Sequence, residues 1–342
     1  MASNKTLSSL GEFGFISRIA ATACSGTGVV TGIGDDAAVT ALTPGMQLLT
    51  STDMLLENVH FRRSWHDPYH LGRKSLAVSI SDIAAMGGIP RWCLLSLAVP
   101  KDIPLDFLDD FTRGFLAMAT EQNVSLIGGD TCSSASGLII SVTIMGEQLP
   151  ERIIRRSGAM PGDDIWVTGN LGDAALGLKL LEEGRLDLLQ EREQYDDIVS
   201  KLFTRLLDPV PRSGAGQLLA QSGLVSSMID ISDGLLADFG HIAELSGAGG
   251  EIHLAALPVS AAFRAHVASS PQFPHHLVLS GGEDYELTFT ASPANREKIA
   301  SLMKNSGIDA TPVGIVSSLP GVKVLDSDGN AYIPPTPGFN HF

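Results

Sequence analysis

Short acidic loops that close apolar runs are the feature of this sequence that most constrains its fold. Each loop carries Asp or Glu among small residues and follows residues typical of a buried strand or helix. The loops occupy residues 32–36, 51–53, 81–82, 128–130, 230–234 and 281–284. Two bare carboxylates 4 Å apart repel by about 4 kcal/mol at an effective dielectric near 20, so a fold that gathers these loops needs cations. Mg²⁺ prefers oxygen ligands and usually binds together with phosphate, so it fits this requirement.

Length and charge exclude several classes of protein. A chain of 342 residues predicts about two domains, because single hydrophobic cores rarely exceed roughly 250 residues. The net charge of −15 argues against nucleic acid or anionic lipid as a partner. No signal peptide or apolar stretch of about 18 residues is apparent, so we expect a cytoplasmic protein without a membrane partner. The three cysteines are widely spaced, which argues against a zinc site or a disulfide framework.

Hydrophobic periodicity predicts a mixed α/β protein with two halves. The first half shows the order β-α-β-α-β-β and includes a helix from Tyr69 to Met86 that a glycine pair ends. The stretch 155–163 breaks this periodicity. Beyond it, helices alternate with strands that are predicted at 164–168, 225–231 and 285–291. We therefore predict two domains, residues 1–150 and 151–342.

The glycine-rich loop at 32–37 does not predict a dinucleotide site. It matches the loose pattern G-x-G-x-x-A, but two aspartates would face the pyrophosphate and the next residues are typical of a strand. A G-x-x-x-x-G-K-[ST] loop is absent from the sequence. Asp35 and Asp36 therefore remain candidates for metal ligands or for a plain turn.

Asp82 lies in a predicted helix that contains little else that is polar. Burying an unpaired charge is costly, so Asp82 must be paired, protonated or bound to a metal. Arg73 and Lys74 lie eight and nine positions earlier, too far for a local pair on a helix. We therefore expect a metal ion or a partner distant in sequence.

Asp53 and Asp130 follow strong apolar runs, and we expect them at the carboxyl ends of strands, where α/β proteins place ligands. In the sequence Asp-Ile-Ser-Asp-Gly, alternation puts Asp230 and Ser232 on one face, and the glycine turn directs Asp233 to the same ligand. We also expect Asp233 to cap the helix that follows.

Two basic or aromatic side chains complete the candidates from the residues alone. Arg156 belongs to an adjacent arginine pair at the predicted domain junction. It either clamps a nucleotide phosphate or forms an exposed salt bridge. His60 follows an apolar strand and is most simply a structural histidine.

The ordered set of motifs resembles the thiamine-monophosphate kinases, in the superfamily of aminoimidazole ribonucleotide synthetase and selenophosphate synthetase. The resemblance extends from about Gly11 to Phe342. It is carried by Gly-Ile-Gly-Asp-Asp, Ser-Thr-Asp, Ser-Asp-Ile-Ala-Ala-Met-Gly, Gly-Gly-Asp-Thr, Arg-Ser-Gly-Ala-x-Pro-Gly-Asp, Ile-Asp-Ile-Ser-Asp-Gly-Leu and Ser-Gly-Gly-Glu-Asp-Tyr-Glu-Leu.

The resemblance implies a fold, an activity and an assembly. It implies a ferredoxin-like N-terminal α/β domain that binds metal and ATP and dimerises, its strands building an intersubunit barrel. The C-terminal α/β domain would complete the nucleotide and substrate site. The implied activity is direct, in-line transfer of the γ-phosphoryl group of ATP to thiamine monophosphate, assisted by several Mg²⁺ ions, in a homodimer. Both reactants are phosphates, and such a transfer needs positioning and charge neutralisation more than a strong base.

The resemblance also implies roles for individual residues. Metal ions would be held by Asp35, Ser51, Thr52, Asp53, Asp82, Asp130, Asp230 and Asp233. ATP would be contacted by Gly129, Asp130, Arg156 and Ser232. Asp130 and Asp233 are the expected catalytic residues, and the substrate would be contacted by His60, Glu283 and Phe339. Asp36 and Asp284 are expected to be structural.

One departure and two alternatives accompany this interpretation. The family often carries an aromatic residue where this chain has Thr336 or Pro337, so stacking on the substrate would fall to Phe339. A related ATP-using synthetase is the first alternative, although the reactive cysteine and the lysine of a selenophosphate synthetase do not occur in a suitable context before Asp35. A non-catalytic Mg-nucleotide-binding protein on the same scaffold is the second.

Overall fold

The computed structural model describes residues 10–184, 197–268, 270, 272–336 and 338–339. These residues form two compact units. The N-terminal unit contains the described residues up to Ile83 and the segment Ile89–Pro150. The C-terminal unit contains Ala84–Gly88 and the described residues from Glu151 onward.

The N-terminal unit combines a four-stranded sheet, a two-stranded ribbon and three helices. The helices are α1 (Glu12–Thr22), α2 (Pro68–Ala85) and α3 (Leu105–Glu121). The strands are β1 (Val29–Thr31), β2 (Val39–Thr40), β3 (Gln47–Leu56), β4 (Ile89–Pro100), β5 (Ser125–Ser134) and β6 (Ile139–Gln148). The β-α-β-α-β-β order predicted from the sequence is confirmed, and the helix predicted from Tyr69 to Met86 is α2 within one residue at each end.

The four-stranded sheet has the order β3-β6-β4-β5 and leaves β3 and β5 at its two edges. Asp53 pairs in register with Val142 on β6, and β3 continues beyond it to Leu56. Asp130 pairs with Ser96 on β4, and β5 likewise continues to Ser134. The expectation that both aspartates end their strands was therefore wrong, because backbone pairing continues after the apolar pattern stops.

Helices α2 and α3 meet backbone to backbone at two glycines. A Cβ atom added to Gly72 would lie 2.0 Å from the carbonyl oxygen of Phe111, and one added to Gly114 would lie 1.8 Å from that of Tyr69. Real side chains cannot approach backbone atoms so closely, so this contact requires glycine at both positions. It fixes α2, the helix that carries Asp82, against α3.

The C-terminal unit is built on a seven-stranded sheet of order β13-β12-β9-β11-β7-β10-β8, in which only β12 and β9 pair in parallel. Its strands are β7 (Asp164–Thr168), β8 (Ser227–Ile231), β9 (Gly249–His253), β10 (Glu286–Ala291), β11 (Ala310–Ser317), β12 (Gly321–Leu325) and β13 (Ala331–Tyr332). Its helices are α4 (Asp173–Glu182), α5 (Asp197–Leu207), α6 (Ser213–Ser222), α7 (Leu235–Leu245), α8 (Ala261–Val267), α9 (His275–Leu279) and α10 (Arg296–Asn305).

Strands β7, β10 and β8 of the seven-stranded sheet are buried along their whole length. Trp166 on β7 stacks on Phe289 on β10 with ring centroids 5.9 Å apart.

The strand predicted at 164–168 is confirmed with the same bounds, whereas the sequence patterns did not predict β9, α8 or α9. Within the described residues, no helix is both long and apolar enough to cross a membrane.

The close contact between α2 and α3 can be tested with Gly72→Ala. We expect the added methyl group to lower the free energy of unfolding by about 1–3 kcal/mol, as overpacking does. Gly240→Ala is the matched control, because Gly240 lies within α7 with no atom within 4 Å of its added Cβ. It should raise that free energy by about 0.5–1 kcal/mol, since alanine favours a helix interior. Urea denaturation measures both, and equal effects of the two substitutions would contradict the packing argument.

Candidate functional site

In the N-terminal unit, two of the predicted metal ligands come close together. Asp53 lies on β3 and Asp82 on α2, and Ser51, two residues before Asp53 on the same strand face, donates a hydrogen bond from Oγ to Asp82 Oδ2. Arg73 forms an ion pair with Glu121, with its Nη1 2.6 Å from Glu121 Oε1. The distant partner expected for Asp82 is therefore a hydroxyl group on a neighbouring strand.

The Asp53 carboxylate is electrostatically strained. Burial, and secondly the charge of Asp82, raise the pKa of Asp53 from 3.8 to about 6, although the Ser79 hydroxyl lowers it in part. Asp53 Oδ2 is buried and has no hydrogen-bond partner among the described residues. A buried carboxylate oxygen without a donor is costly, and a bound cation removes that cost. This donor set of two carboxylates and a hydroxyl oxygen fits Mg²⁺.

Thr52 does not share this arrangement. Strand alternation puts it on the opposite face of β3 from Ser51 and Asp53. Its hydroxyl lies 3.2 Å from the carbonyl oxygen of Val142 and 3.1 Å from Thr143 Oγ1, both on β6. The Thr52 side chain is therefore held by the sheet and is not brought to the Asp53–Asp82 pair.

Asp35, Gly129 and Asp130 are exposed. Asp35 Oδ1 accepts a hydrogen bond from the backbone N–H of Asp36 at 2.9 Å, so this loop is a turn in the absence of a ligand. A Cβ atom on Gly129 would lie 1.8 Å from the carbonyl oxygen of Leu95, so only glycine fits beside β4 at this point. Asp130, the next residue, carries its carboxylate into solvent.

A complete protein cage for a metal is not formed. Within the described ranges, no group of three or more His, Cys, Asp or Glu side chains is arranged to hold a metal ion. Mg²⁺ commonly takes one or two carboxylates from the protein and fills its remaining positions with phosphate oxygens and water. The Asp53–Asp82 pair matches such a partial ligand set.

His60 has a defined structural contact. Its Nδ1 accepts a hydrogen bond from the backbone N–H of Leu56 at 3.0 Å, and its own N–H donates to the carbonyl oxygen of Leu56 at 2.9 Å. Nδ1 is therefore unprotonated, and in the neutral ring the proton lies on Nε2. The structural role expected from the sequence is present.

In the C-terminal unit, β8 delivers the loop that carries Asp230, Ser232 and Asp233. Asp230 is buried at the end of the strand, and Ser232 and Asp233 are half-buried. Helix α7 begins after Gly234, which is its N-cap and has φ 115°, and no side chain caps the helix. The expectation that Asp233 caps this helix was therefore wrong.

Asp238, which the sequence motifs did not single out, holds this loop. Its Oδ2 accepts hydrogen bonds from the backbone N–H groups of Ser232, Asp233 and Gly234 at 3.0, 3.0 and 3.1 Å. Burial, and secondly the charge of Asp233, raise the pKa of Asp238 to about 7. The signal in the sequence was an acidic residue on the buried face of the helix that follows the loop.

A second acidic loop lies against the first. The backbone N–H of Glu283 donates to the carbonyl oxygen of Ser232, and that of Tyr285 donates to Ile231, each at 2.8 Å. Glu283 and Tyr285 have φ values of 72° and 48°, a left-handed conformation that is costly for residues other than glycine. The structure thus places Glu283 beside Ser232 and Asp233, and backbone strain is stored at this point.

Asp284 faces the interior of the unit. Its two carboxylate oxygens accept the backbone N–H of Gly172 at 3.0 and 3.1 Å, and burial raises its pKa well above the usual range. The neighbouring Glu286 is fully buried and is paired with Arg205 and Arg212. These contacts agree with the structural role expected for Asp284.

The end of the described chain also lies on the Asp233 loop. The backbone N–H of Phe339 donates to the carbonyl oxygen of Asp233 at 3.0 Å. Ser280 Oγ, at the start of the Glu283 loop, donates to the carbonyl oxygen of Thr336 at 2.5 Å. The Phe339 side chain is 51% exposed, so its ring is accessible beside both loops. Pro337, named above with Thr336, lies outside the described residues.

Arg156 is not brought to these loops. It is exposed and forms no ion pair with the described residues. The carbonyl oxygen of its neighbour Arg155 accepts the N–H of Met228 at 3.0 Å, at the start of β8, whereas Ser232 follows the end of that strand. At about 3.3 Å per residue, the two ends are about 13 Å apart.

Two protein-family models match this chain. One is "AIR synthase related protein, N-terminal domain", over residues 34–148. The other is "AIR synthase related protein, C-terminal domain", over residues 160–327. Structures of the hydrogenase maturation protein HypE from E. coli, at 21% identity and a TM-score of 0.70, share the fold.

Curated relatives and solved structures match nearly the whole chain. The thiamine-monophosphate kinases of Salmonella typhimurium and Bacillus subtilis are 37% and 35% identical, each over 97% of this chain and over 98% and 99% of their own lengths. The crystal structure of thiamine-monophosphate kinase from Stenotrophomonas maltophilia has a TM-score of 0.84 at 38% identity, covering 94% of this chain and 98% of that one. The structure "AaThiL complexed with AMPPCP and TMP" has a TM-score of 0.75 at 34% identity and covers 98% of each chain. The chain therefore belongs to the thiamine-monophosphate kinase family.

Proposed function

We propose that this protein transfers the γ-phosphoryl group of ATP to the phosphate of thiamine monophosphate, which yields thiamine diphosphate. The observation that carries the proposal is the buried Asp53 carboxylate, whose pKa is raised by burial and by the charge of Asp82, in a chain of this family. Asp53 Oδ2 is buried without a donor among the described residues. The related chain "AaThiL complexed with AMPPCP and TMP" was solved with an ATP analogue and with TMP, and this chain matches it over 98% of its length.

The same proposal assigns the Mg²⁺ ligands. Asp53, Asp82 and the Ser51 hydroxyl form one set on β3 and α2. Asp35 and Asp130 add exposed carboxylates in the N-terminal unit. Bound Mg²⁺ would neutralise the charge of the two phosphates, which otherwise repel each other. In the C-terminal unit, the proposed ligands are Asp230 and Asp233.

The remaining assignments concern ATP and the substrate. We assign ATP contacts to Arg156, whose neighbour Arg155 bonds to the start of β8, and to Ser232, which follows the end of that strand. Gly129 would contact ATP through its backbone, where no side chain fits. Glu283 and the exposed ring of Phe339 lie at the Asp233 loop and are proposed to contact the thiamine moiety. His60 is the proposed third contact to that moiety. Thr52 is proposed to offer a main-chain oxygen to a metal, because its hydroxyl lies against β6.

The acceptor chemistry explains why no strong base is needed. The phosphate of thiamine monophosphate is largely ionised near neutral pH, so it attacks without loss of a proton from a hydroxyl group. Catalysis then consists of aligning donor and acceptor and offsetting their charge. Asp130 and Asp233 are proposed to do this by holding metal ions at the transferring phosphoryl group.

The proposal includes a homodimer formed through the N-terminal unit. The four-stranded sheet is open, with β3 at one edge, and Leu48 and Met54 on that strand are 49% and 55% exposed. Joining this sheet to that of a second copy, as a ferredoxin-like domain in an intersubunit barrel, would cover these side chains. A cytoplasmic location remains a prediction from the sequence.

The activity is tested by incubating the protein with Mg-ATP and thiamine monophosphate and measuring ADP release and thiamine diphosphate by chromatography. We expect stoichiometric formation of both products. Thiamine is the matched control acceptor, because it lacks the phosphate that attacks, and it should give no product above background. Turnover of another phosphate or of an amide, without turnover of thiamine monophosphate, would assign the chain to a related ATP-using synthetase.

The role of Asp130 is tested by Asp130→Asn, which keeps the size of the side chain and removes its charge. We expect kcat to fall at least about 100-fold, equal to about 2.7 kcal/mol of barrier, with an unchanged circular dichroism spectrum. Asp36→Asn is the matched control, since Asp36 contributes only its backbone N–H to the neighbouring turn. A kcat for Asp130→Asn within about threefold of the unmodified enzyme would remove Asp130 from the metal ligands.

The metal site of the N-terminal unit is tested by Asp53→Asn and thermal unfolding. Without Mg²⁺ at pH 7.5, the substitution should raise Tm, because burial and the charge of Asp82 both disfavour the Asp53 carboxylate. Mg²⁺ at about 100 times its Kd should stabilise the unmodified protein by about 2.7 kcal/mol. This stabilisation should be lost in Asp53→Asn, with KCl of equal ionic strength as the control. A Tm that falls without metal, or an unchanged response to Mg²⁺, would contradict the assignment.

A further inference from the structure

The backbone of residues 232–234 uses all its hydrogen-bonding groups within the protein. Asp238 Oδ2 accepts the three N–H groups of Ser232, Asp233 and Gly234 at 3.0–3.1 Å. The carbonyl oxygens of the same residues accept the N–H groups of Glu283, Phe339 and Asp238, in that order, at 2.8, 3.0 and 3.0 Å. The N–H groups of this loop are therefore not available to a ligand.

This arrangement differs from that of most loops between a strand and a helix, which offer backbone N–H groups to a ligand. The N-terminus of a helix, with its unpaired N–H groups and positive dipole end, is normally suited to bind a phosphate or another anion. Here the carboxylate of Asp238, which is only 3% exposed, occupies the N–H groups that precede α7. The polar side chains of the loop are the half-buried Asp233 carboxylate and Ser232 hydroxyl, which suit a cation better than a bare phosphate.

Asp238 accepts these hydrogen bonds although its surroundings disfavour the charged form of its carboxylate. The charge of Asp233 repels it, and its burial disfavours the charged form. Asparagine has the same reach, and its side-chain oxygen could also accept these N–H groups without carrying a charge. We therefore attribute the loop conformation to the hydrogen bonds and not to the charge of Asp238.

We propose that Asp238 is a positioning residue for metal-dependent phosphoryl transfer: it turns the backbone N–H groups of residues 232–234 inward so that Asp233 and Ser232 face the metal–phosphate group. This inference rests on the proposed function, because it takes Asp233 as a metal ligand. It adds a residue that touches neither metal nor substrate. Groups that orient metal ligands typically affect metal affinity or activity by about 10–100-fold.

The hydrogen bonds are tested first, in the metal-free protein, by hydrogen exchange of the backbone amides. The amides of residues 232–234 should exchange slowly in the unmodified protein, faster in Asp238→Ala, and at nearly the original rate in Asp238→Asn. This measurement on the unmodified protein does not depend on whether a variant folds. Free exchange of these amides in the unmodified protein would overturn the proposal.

The functional consequence is tested by two measurements. One is the affinity for Mn²⁺ alone, measured by calorimetric titration, and the other is the Mg²⁺ concentration that gives half-maximal velocity. Asp238→Ala should weaken both by about 10–100-fold, with a smaller change in KM for thiamine monophosphate. Asp238→Asn should restore both to within about threefold. Asp164→Ala is the matched control: it removes a carboxylate that is 1% exposed and paired with Arg296, and should leave the Mn²⁺ affinity unchanged.

The outcomes separate this inference from the proposed function. If Asp238→Ala weakens Mn²⁺ binding but the unmodified protein does not phosphorylate thiamine monophosphate, the inference stands and the proposed function fails. If Mn²⁺ affinity in folded Asp238→Ala stays within threefold, or the unmodified protein binds no Mn²⁺, the inference is overturned. An Asp238→Asn variant with protected amides and the same loss as Asp238→Ala would show that the charge acts, and would also overturn it.

Discussion

Repulsion between carboxylates that are held close together and away from water is the main physical constraint on the acidic residues within each of the two units. In the N-terminal unit, burial and the charge of Asp82 raise the pKa of Asp53 to about 6. In the C-terminal unit, burial and the charge of Asp233 raise the pKa of Asp238 to about 7. Folding alone would not favour either pair. The Asp53–Asp82 pair is the proposed cation site, whereas the Asp238 carboxylate is offset in part by the three backbone N–H groups whose hydrogen bonds it accepts.

The acidic residues of this protein fall into two groups according to how their charge is compensated. Glu286 is paired with Arg205 and Arg212, and Glu147 with Arg91, so these buried carboxylates carry their own cations. Asp82 accepts a hydrogen bond from the Ser51 hydroxyl, the Ser79 hydroxyl lowers the pKa of Asp53 in part, and Asp238 accepts three backbone N–H groups. Carboxylates that are paired with an arginine of the chain serve the fold, whereas the buried Asp53 oxygen without a donor is the group proposed to meet an external cation.

Much of the fold was predictable because its signals are local. The strand at 164–168 and the helix that became α2 follow directly from hydrophobic periodicity and from the glycine pair that ends the helix. The positions of Asp53 and Asp130 within their strands were not predictable in this way. Their strands continue through polar and small residues because the neighbouring strands β6 and β4 pair with the backbone there, whatever the side chain. Pairing partners distant in sequence leave no local pattern.

The sequence by itself determined which residue types stand in the acidic loops, the order of those loops, and the family that this order identifies. Tertiary structure alone decided what each residue does. It turned Thr52 to the face opposite Asp53, gave Asp82 the Ser51 hydroxyl as a partner, and left Arg156 at the far end of β8 from Ser232. It also made Asp238, an ordinary helix residue in the sequence, the acceptor of three backbone hydrogen bonds. The reason is physical: chemistry depends on residue type, which the sequence states, whereas burial, charge repulsion and hydrogen bonding depend on distances that only the folded chain sets.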